Sequence, residues 1–268
     1  MLFNSLNFAI FFAIVWLSFM AMGNWTLRKG WLLLASYLFY AAWNPPYVLI
    51  LAFSTGLDWW LARRLCRTEA QQQRKALLLL SVAANLSLLG FFKYGDFLLH
   101  NFQLLLTTFG ISYAPPTLSI VLPAGISFYT FHGLSYVIDV YKERIEPERN
   151  FVDYAVFVSF FPLLVAGPIE RAQHLLPQIK RTRIFNSEQA VDGMRQILWG
   201  LFKKIVIADN CATFANEIFN HSDAYSGSTL VLGTLFFAFQ IYGDFSGYSD
   251  IALGTARLLG IELLRNFA

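Results

Sequence analysis

Charged residues are scarce in this sequence. Asp, Glu, Lys and Arg make up only 14% of its 268 residues, whereas hydrophobic residues make up 56%. Soluble domains carry about a quarter charged residues, so this composition excludes an ordinary soluble domain. A mean hydropathy of +0.50 and 17% aromatic residues are typical of helices that face lipid and end in interfacial aromatic belts. We therefore expect an all-α, polytopic membrane bundle whose surroundings are a lipid bilayer.

Cysteine and histidine are also scarce, and neither has the spacing of a metal site. Cys66 and Cys211 lie far apart and are expected to be free thiols, and the four histidines form no HxxxH or HxE pattern. No metal and no bound cofactor are predicted. The formal net charge is only +3 and no long basic run occurs, so nothing indicates a nucleic-acid partner.

Apolar segments recur along the chain. The N-terminus lacks the basic region of a signal peptide, so its apolar segment is expected to stay as a first membrane span. Further spans are predicted from apolar length, because the hydrocarbon core of a bilayer is about 30 Å thick. The predicted spans are 2–22, 31–43, 47–62, 76–92 and 118–141. The last of these is expected to break near Pro123 and Gly125.

Polar residues suggest where some helices end. Asn44-Pro45-Pro46 separates the second and third spans, and Asp58 beside two tryptophans suggests an interfacial helix end. Residues 97–109 are too short to span and are expected to form an interfacial helix, separated from the preceding span at residues 93–96.

Basic loops set the expected orientation. Residues 63–75 hold five Lys and Arg side chains, so the positive-inside rule places this loop in the cytoplasm and the N-terminus outside. Loop 142–150 is cytoplasmic by the same count. Segment 151–166 is flanked by basic loops on both sides and is therefore predicted to be re-entrant, with breaks at Pro162 and Pro168.

An amphipathic helix is predicted over residues 187–207, with Ser187 as its N-cap. Its Lys203 and Lys204 are expected to reach towards anionic lipid, or alternatively towards an acidic donor protein. Residues 210–228 are polar and are expected to form a loop or a short helix.

Among the stretches that lie between apolar residues, the most polar is 238–254, AFQIYGDFSGYSDIALG. A carboxylate at membrane depth costs several kcal/mol, so its acids should face a protein interior or a water-filled path. In a helix, Asp244 and Asp250 lie about 120° apart, which excludes a facing pair of glycosidase type. Three glycines would share one stripe suited to close helix packing: Gly243, Gly247 and Gly254. Two interpretations of this stretch stay open: a buried polar cluster that joins helices, and a site of direct chemistry.

The continuation YGDFSGYSDIALGTARLLGIELLRNF resembles the block that precedes the active-site histidine in the membrane-bound O-acyltransferase family. It is most similar to the bacterial branch that acetylates alginate and other exported polysaccharides. Three further blocks are similar to that branch: LPAGISFYTFHGLSYVIDVY, FFPLLVAGPIERAQHLLPQI and GLFKKIVIAD. The resemblance implies one membrane domain over residues 1–268, corresponding to the N-terminal part of the family fold.

The resemblance implies transfer of an acyl group, acetyl in this branch, onto hydroxyls of an exported polysaccharide at the bacterial inner membrane. The donor, acetyl-CoA or another acyl carrier, would be a cytoplasmic substrate, and a histidine would act as general base. Implied partners are extracytoplasmic acyltransferase proteins and a polysaccharide export complex. The residues implied to line the tunnel or support its histidine are Gln240, Asp244, Ser246, Tyr248, Asp250 and His132. For His132 a structural, hydrogen-bonded role is favoured.

The resemblance also implies a cytoplasmic donor approach at Glu170, Arg171 and His174, for which a solvated loop is an equal alternative. The family's histidine-containing segment follows the pair matched by Asn266-Phe267, so the catalytic residue is expected beyond Ala268. The chain is accordingly expected to be a fragment of a longer product, or else a short form without catalysis. The alternatives in function are the teichoic-acid D-alanyl branch, a transporter, and a non-catalytic partner subunit.

Overall fold

A computed structural model describes residues 3–111, 121–165 and 167–266. These residues form helices joined by turns and contain no strand, which confirms the predicted all-α class. The helices are α1 (Leu6–Ala21), α2 (Trp25–Ala41), α3 (Tyr47–Cys66), α4 (Gln71–Thr108), α5 (Ile126–Tyr141), α6 (Phe151–Ser159), α7 (Phe161–Leu164), α8 (Ala172–Lys180), α9 (Ser187–Leu201), a π-helical segment (Phe202–Ala208), α10 (Asp209–Asn220) and α11 (Gly227–Leu258).

Two of these helices, α4 and α11, are long and apolar enough to cross a membrane. Helix α4 has 38 residues and is therefore about 57 Å long, nearly twice the thickness of a hydrocarbon core. It continues through residues 93–96, so the predicted break there and the separate interfacial helix 97–109 are wrong. Residues 93–96 make the helix surface more polar without ending the helix. The glycine among them, Gly95, costs only about 1 kcal/mol in a helix interior.

Other predicted breaks are confirmed. Asn44-Pro45-Pro46 separates α2 from α3, and α5 begins directly after Gly125. Gly125 has a φ of 71°, and a Cβ atom there would collide with the backbone carbonyl of Leu164. This position therefore requires glycine for both its conformation and its contact with α7. The first part of the predicted span 118–141, up to residue 120, lies outside the described residues.

Helices α6 and α7 form the centre of the core. Every residue from Asp153 to Leu164 is buried. The helix is interrupted at Phe160, between α6 and α7. Pro162 lies in the first turn of α7, as the sequence predicts. The hydroxyl of Ser36 on α2 accepts a hydrogen bond from the N–H of Phe161 (3.1 Å), so a backbone donor freed by the break is satisfied.

The basic loops meet at one end of the bundle. Arg28 donates to the carbonyl of Arg183 (3.3 Å), which joins the start of α2 to the loop after α8. Lys180 pairs with Glu148 (3.0 Å), which joins the end of α8 to residues 142–150. The chain therefore starts from this end at Phe151 and is back at it by Lys180, whereas Leu164 lies deeper in the bundle, against Gly125 at the start of α5. The re-entrant course of segment 151–166 stays a prediction.

Two helix ends differ from expectation. The N-cap of α9 is Asn186, whose side chain accepts from the N–H groups of Glu188 (2.9 Å) and Gln189 (3.3 Å), so the assignment of Ser187 as cap is wrong by one residue. Helix α11 ends at Leu258, and Gly260 follows with a φ of 78°. The sequence from Arg257 onward, RLLGIELLRNFA, predicts the start of another helix. That prediction is wrong, because glycine at position 260 terminates the helix and residues 261–266 are not helical.

Candidate functional site

The glycine stripe of α11 packs against α9 and the π-helical segment. A Cβ atom at Gly247 would lie 2.9 Å from the carbonyl oxygen of Gly200, and one at Gly254 would collide with the carbonyl of Gly193. Gly243 similarly faces the carbonyl of Lys203. The predicted close helix packing is confirmed, and it needs small residues on both helices.

Close packing brings two lysines onto the two acids of α11. Nζ of Lys204 lies 2.5 Å from Oδ1 of Asp244 and 2.7 Å from Oδ1 of Asp209. Lys203 forms an ion pair with Asp250. We call Lys203, Lys204, Asp244 and Asp250 the lysine–aspartate cluster. The expectation that both lysines reach lipid or a donor protein is wrong, because each has a carboxylate of the same chain within reach.

The environment of the lysine–aspartate cluster differs between its two pairs. The Lys203 and Asp250 side chains are only 9% and 18% exposed, and Gln196 donates to Oδ1 of Asp250 (3.1 Å). Asp244 is 33% exposed. A carboxylate that is nearly buried depends more on its cation than one that water can reach.

The other implied tunnel residues of α11 lie around this cluster. The ring of Tyr248 lies with its centroid 5.6 Å from Nζ of Lys204. Ser246 is fully buried, and its hydroxyl has no hydrogen-bond partner among the described residues. The side-chain oxygen of Gln240 is likewise buried and unpartnered within the described ranges. Unsatisfied polar atoms of this kind each cost about 1–3 kcal/mol.

Both lysines lie in the π-helical segment Phe202–Ala208, which joins α9 directly to α10. π-helical turns are rare and frequently occur at functional sites. The sequence gives no signal for this turn, since its residues also suit an α-helix.

A second cluster surrounds Glu170, between α7 and α8. The Glu170 carboxylate is fully buried, and its Oε2 lies 2.9 Å from Nδ1 of His174. Its Oε1 accepts a hydrogen bond from the N–H of Leu264, and its own N–H donates to Nε2 of His132 (3.3 Å). We call Glu170, His174 and His132 the glutamate–histidine cluster.

This cluster joins two groups of residues that the resemblance implied separately, the tunnel and the donor approach. His132 is buried, with its ring 5.7 Å from that of Phe157, and its structural role stays a prediction. A solvated loop is wrong for Glu170, but Arg171 is exposed and His174 is 36% exposed. Burial raises the pKa of Glu170 above its ordinary value, although the bonds from Leu264 and His174 oppose this shift.

Sequence reasoning missed the residues that fasten the C-terminal segment. Gln178 on α8 donates to the carbonyl of Glu262 (2.7 Å) and accepts from its N–H (3.0 Å). The Glu262 carboxylate accepts from Gln189 (2.8 Å) and Arg257 (3.0 Å). Residues 261–264 are therefore held against α8, α9 and α11. No local sequence pattern indicates this, because the partners are distant along the chain.

A buried polar group on α3 was also misplaced. Asp58 does not mark a helix end, since α3 continues to Cys66. It lies inside the bundle, is 1% exposed, and accepts from Ser81 (2.6 Å) and Asn85 (2.9 Å) on α4. Gly133 on α5 faces the same carboxylate closely. The available signal was Ser81 and Asn85, four residues apart in the apolar part of α4, residues 76–92. In the described ranges, no three His, Cys, Asp or Glu side chains are grouped so as to hold a metal ion.

Comparison with known proteins places the chain among acyltransferases. It is 37% identical over 272 residues to a probable alginate O-acetylase of Pseudomonas aeruginosa, an alignment that covers 100% of this chain and 51% of that protein. It is 37% identical over 265 residues to a peptidoglycan O-acetyltransferase of Helicobacter pylori, covering 89% and 49% respectively. The chain belongs with the membrane-bound O-acyltransferases. The resemblance inferred from the sequence blocks is thereby confirmed.

More distant similarity extends to another branch of the family. The chain is 27% identical over 183 residues to a teichoic acid D-alanyltransferase of Streptococcus thermophilus, covering 64% of this chain and 43% of that protein. No family model matches the sequence. The chain spans about half the length of the curated relatives it matches first.

Proposed function

We propose that the chain acts in the transfer of an acetyl group onto hydroxyls of an exported polysaccharide, such as alginate or the glycan of peptidoglycan. The observation that carries this proposal is the 37% identity to two proteins named as O-acetylating enzymes of exported glycans, maintained over nearly the whole chain. Acetyl-CoA or another acyl carrier would supply the acetyl group as a substrate.

The proposed setting is the bacterial inner membrane, crossed several times. Helices α4 and α11 have the required length, and the basic loops gather at one end of the bundle. The positive-inside rule makes that end cytoplasmic and the N-terminus extracytoplasmic. Helices α6 and α7 would then form a re-entrant element that opens to the cytoplasm.

The reaction breaks the carbonyl–sulfur bond of a thioester donor and forms a carbonyl–oxygen bond to the acceptor hydroxyl. The hydroxyl proton passes to a general base, and the leaving thiolate takes up a proton. No residue of this chain is proposed as that base, which we place beyond Ala268.

The chain's own residues have supporting roles in this proposal. The lysine–aspartate cluster fixes α11 against the π-helical segment, so that Ser246 and Tyr248 keep their positions beside a path for the acceptor. The glutamate–histidine cluster lies between His132 in α5 and α8, whose last residue, Lys180, is at the basic end, so it lies along the way that the donor would take from that end. Extracytoplasmic acyltransferase proteins and a polysaccharide export complex are the proposed partners on the other side.

A gene-deletion strain tests the proposal directly. The polymer of this strain should lose its ester-linked acetate, and the complete gene product should restore it, as measured by NMR of the purified polymer. Glu170→Leu in the complete product should reduce this restoration. A polymer that keeps its acetate in the deletion strain would contradict the proposal.

Teichoic-acid D-alanylation is the second candidate, because of the 27% identity to the Streptococcus thermophilus protein. The same deletion strain distinguishes the two. Loss of ester-linked alanine with unchanged acetate would select this candidate.

A further inference from the structure

A cavity of about 450 Å³ opens at the basic end of the bundle, between the end of α3 and loop 142–150. Its lining residues are Arg63, Cys66, Arg67, Glu146, Pro147 and Arg149. None of these residues belongs to the lysine–aspartate or the glutamate–histidine cluster, so the transferase proposal leaves the cavity unexplained.

The arginines of this cavity have no acidic partner. Arg63, Arg67 and Arg149 form no ion pair with any described residue, and Glu146 is the one acid in the lining. The neighbouring arginines are different, since Arg74 pairs with Glu143 (2.5 Å) and Arg144 with Asp139 (3.3 Å). The cavity therefore holds an excess of positive charge that the protein itself does not neutralise.

Beside the cavity, towards the apolar side of α3, lies a second hollow that is lined by tryptophan. This smaller hollow of about 110 Å³ is lined by Trp59, Trp60 and the arginines at positions 63, 64 and 67. The Arg63 guanidinium lies 4.7 Å from the ring centroid of Trp59, and Trp60 is 46% exposed. Tryptophan prefers the membrane–water interface, where one end of its ring system is apolar and the other polar. The site thus offers cations beside an apolar wall, which suits an amphiphile better than a soluble ion.

We propose that Arg63, Arg67 and Arg149 bind the phosphate of an anionic phospholipid headgroup, with Trp60 against the adjoining acyl chain. Guanidinium groups match phosphate oxygens in paired hydrogen bonds, and weak hydration favours their use at interfaces. Basic groups near a membrane surface are attracted to anionic lipid for the same electrostatic reason. This inference does not depend on the transferase activity.

Cys66 supplies a reporter inside the site. Its thiol is exposed and lines the cavity, and the second free cysteine, Cys211, can be replaced by serine. We expect maleimide to modify Cys66 more slowly in nanodiscs that contain phosphatidylglycerol than in nanodiscs of phosphatidylcholine alone. The double variant Arg67→Gln/Arg149→Gln should bind phosphatidylglycerol about tenfold more weakly and lose this protection.

The matched control is Arg181→Gln/Arg195→Gln, which removes the same charge from two exposed arginines outside the cavity. This variant should keep the protection of Cys66 and should retain phosphatidylglycerol through detergent washing, as measured by mass spectrometry of bound lipid. Equal loss in both double variants would overturn the proposal, because it would show a general charge effect.

Inorganic pyrophosphate distinguishes a lipid from a soluble source of phosphate. It should protect Cys66 weakly in detergent-solubilised chain, and phosphatidylglycerol should protect strongly. Protection by pyrophosphate with none by phosphatidylglycerol would overturn the assignment to lipid in favour of a soluble phosphate ligand. Absence of protection by both would overturn the site itself.

Discussion

Both polar clusters of this bundle hold carboxylates inside the protein, but they stabilise them in opposite ways. In the lysine–aspartate cluster each acid of α11 has a lysine from the π-helical segment as its partner. In the glutamate–histidine cluster no lysine or arginine side chain of the described residues forms an ion pair with the Glu170 carboxylate, which is held by the Leu264 N–H and His174. One cluster neutralises its acids with fixed cations, and the other surrounds its acid with donors.

This difference implies different behaviour. The ion pairs of the first cluster join α11 to the π-helical segment, so this cluster is suited to fastening these helices together. In the second cluster, burial favours the neutral form of Glu170 and raises the pKa of its carboxyl group. The glutamate–histidine cluster also holds the N–H of Leu264, so its state bears on the position of the C-terminal segment.

Removing one lysine should have the largest effect. In Lys203→Leu, Asp250 keeps its nearly buried position but loses its cation, and breaking such a pair costs about 3–5 kcal/mol of stability. We expect a clearly lower thermal unfolding midpoint in detergent, measured by tryptophan fluorescence. Lys204→Leu should cost less, since Asp244 and Asp209 are more exposed to water.

The double variant Lys203→Leu/Asp250→Leu is the control for this comparison. Replacing both charges with apolar side chains removes the unpaired carboxylate, so much of the lost stability should return. A double variant as unstable as Lys203→Leu would mean that lost packing, not the unpaired charge, causes the effect. The contrast between the two clusters would then disappear.

Much of the fold follows from local sequence signals. The helix class, the breaks at Asn44-Pro45-Pro46 and Gly125, and the packing of the α11 glycines were all predictable. Proline, glycine and small-residue spacing act on the chain locally, so a single sequence contains them.

The contacts between distant residues were not predictable. Nothing near Lys203 indicates that Asp250 is its partner, and nothing near Glu170 indicates Leu264. Polar residues on α4 were misread for a related reason, since they mark a change of environment without ending a helix. The pairing of charges depends on tertiary packing, which the sequence pattern alone does not determine.

Breaking the second cluster should release the C-terminal segment. In Glu170→Leu, the N–H of Leu264 and the ring of His174 lose their acceptor, at a cost of about 1–3 kcal/mol. We expect trypsin to cleave after Arg265 faster than in the wild type, measured by mass spectrometry of the released peptide. Glu170→Gln keeps an acceptor oxygen and should be cleaved at close to the wild-type rate. Equal cleavage in all three proteins would show that Gln178 and Glu262 hold the segment without this carboxylate.

The smallest expected effect is on the pH dependence of stability, which should differ between the two clusters. Because the folded pKa of Glu170 is raised, its contribution to stability is fully present below the unfolded pKa of about 4.3 and is lost as the pH rises through the folded pKa. The unfolding midpoint of the wild type should therefore fall relative to that of Glu170→Gln as the pH is raised through this window. A Lys203→Leu/Asp250→Leu background should leave this difference unchanged, because the two clusters share no residue. A wild type that instead gains stability over Glu170→Gln with rising pH would show that the donors around Glu170 outweigh its burial.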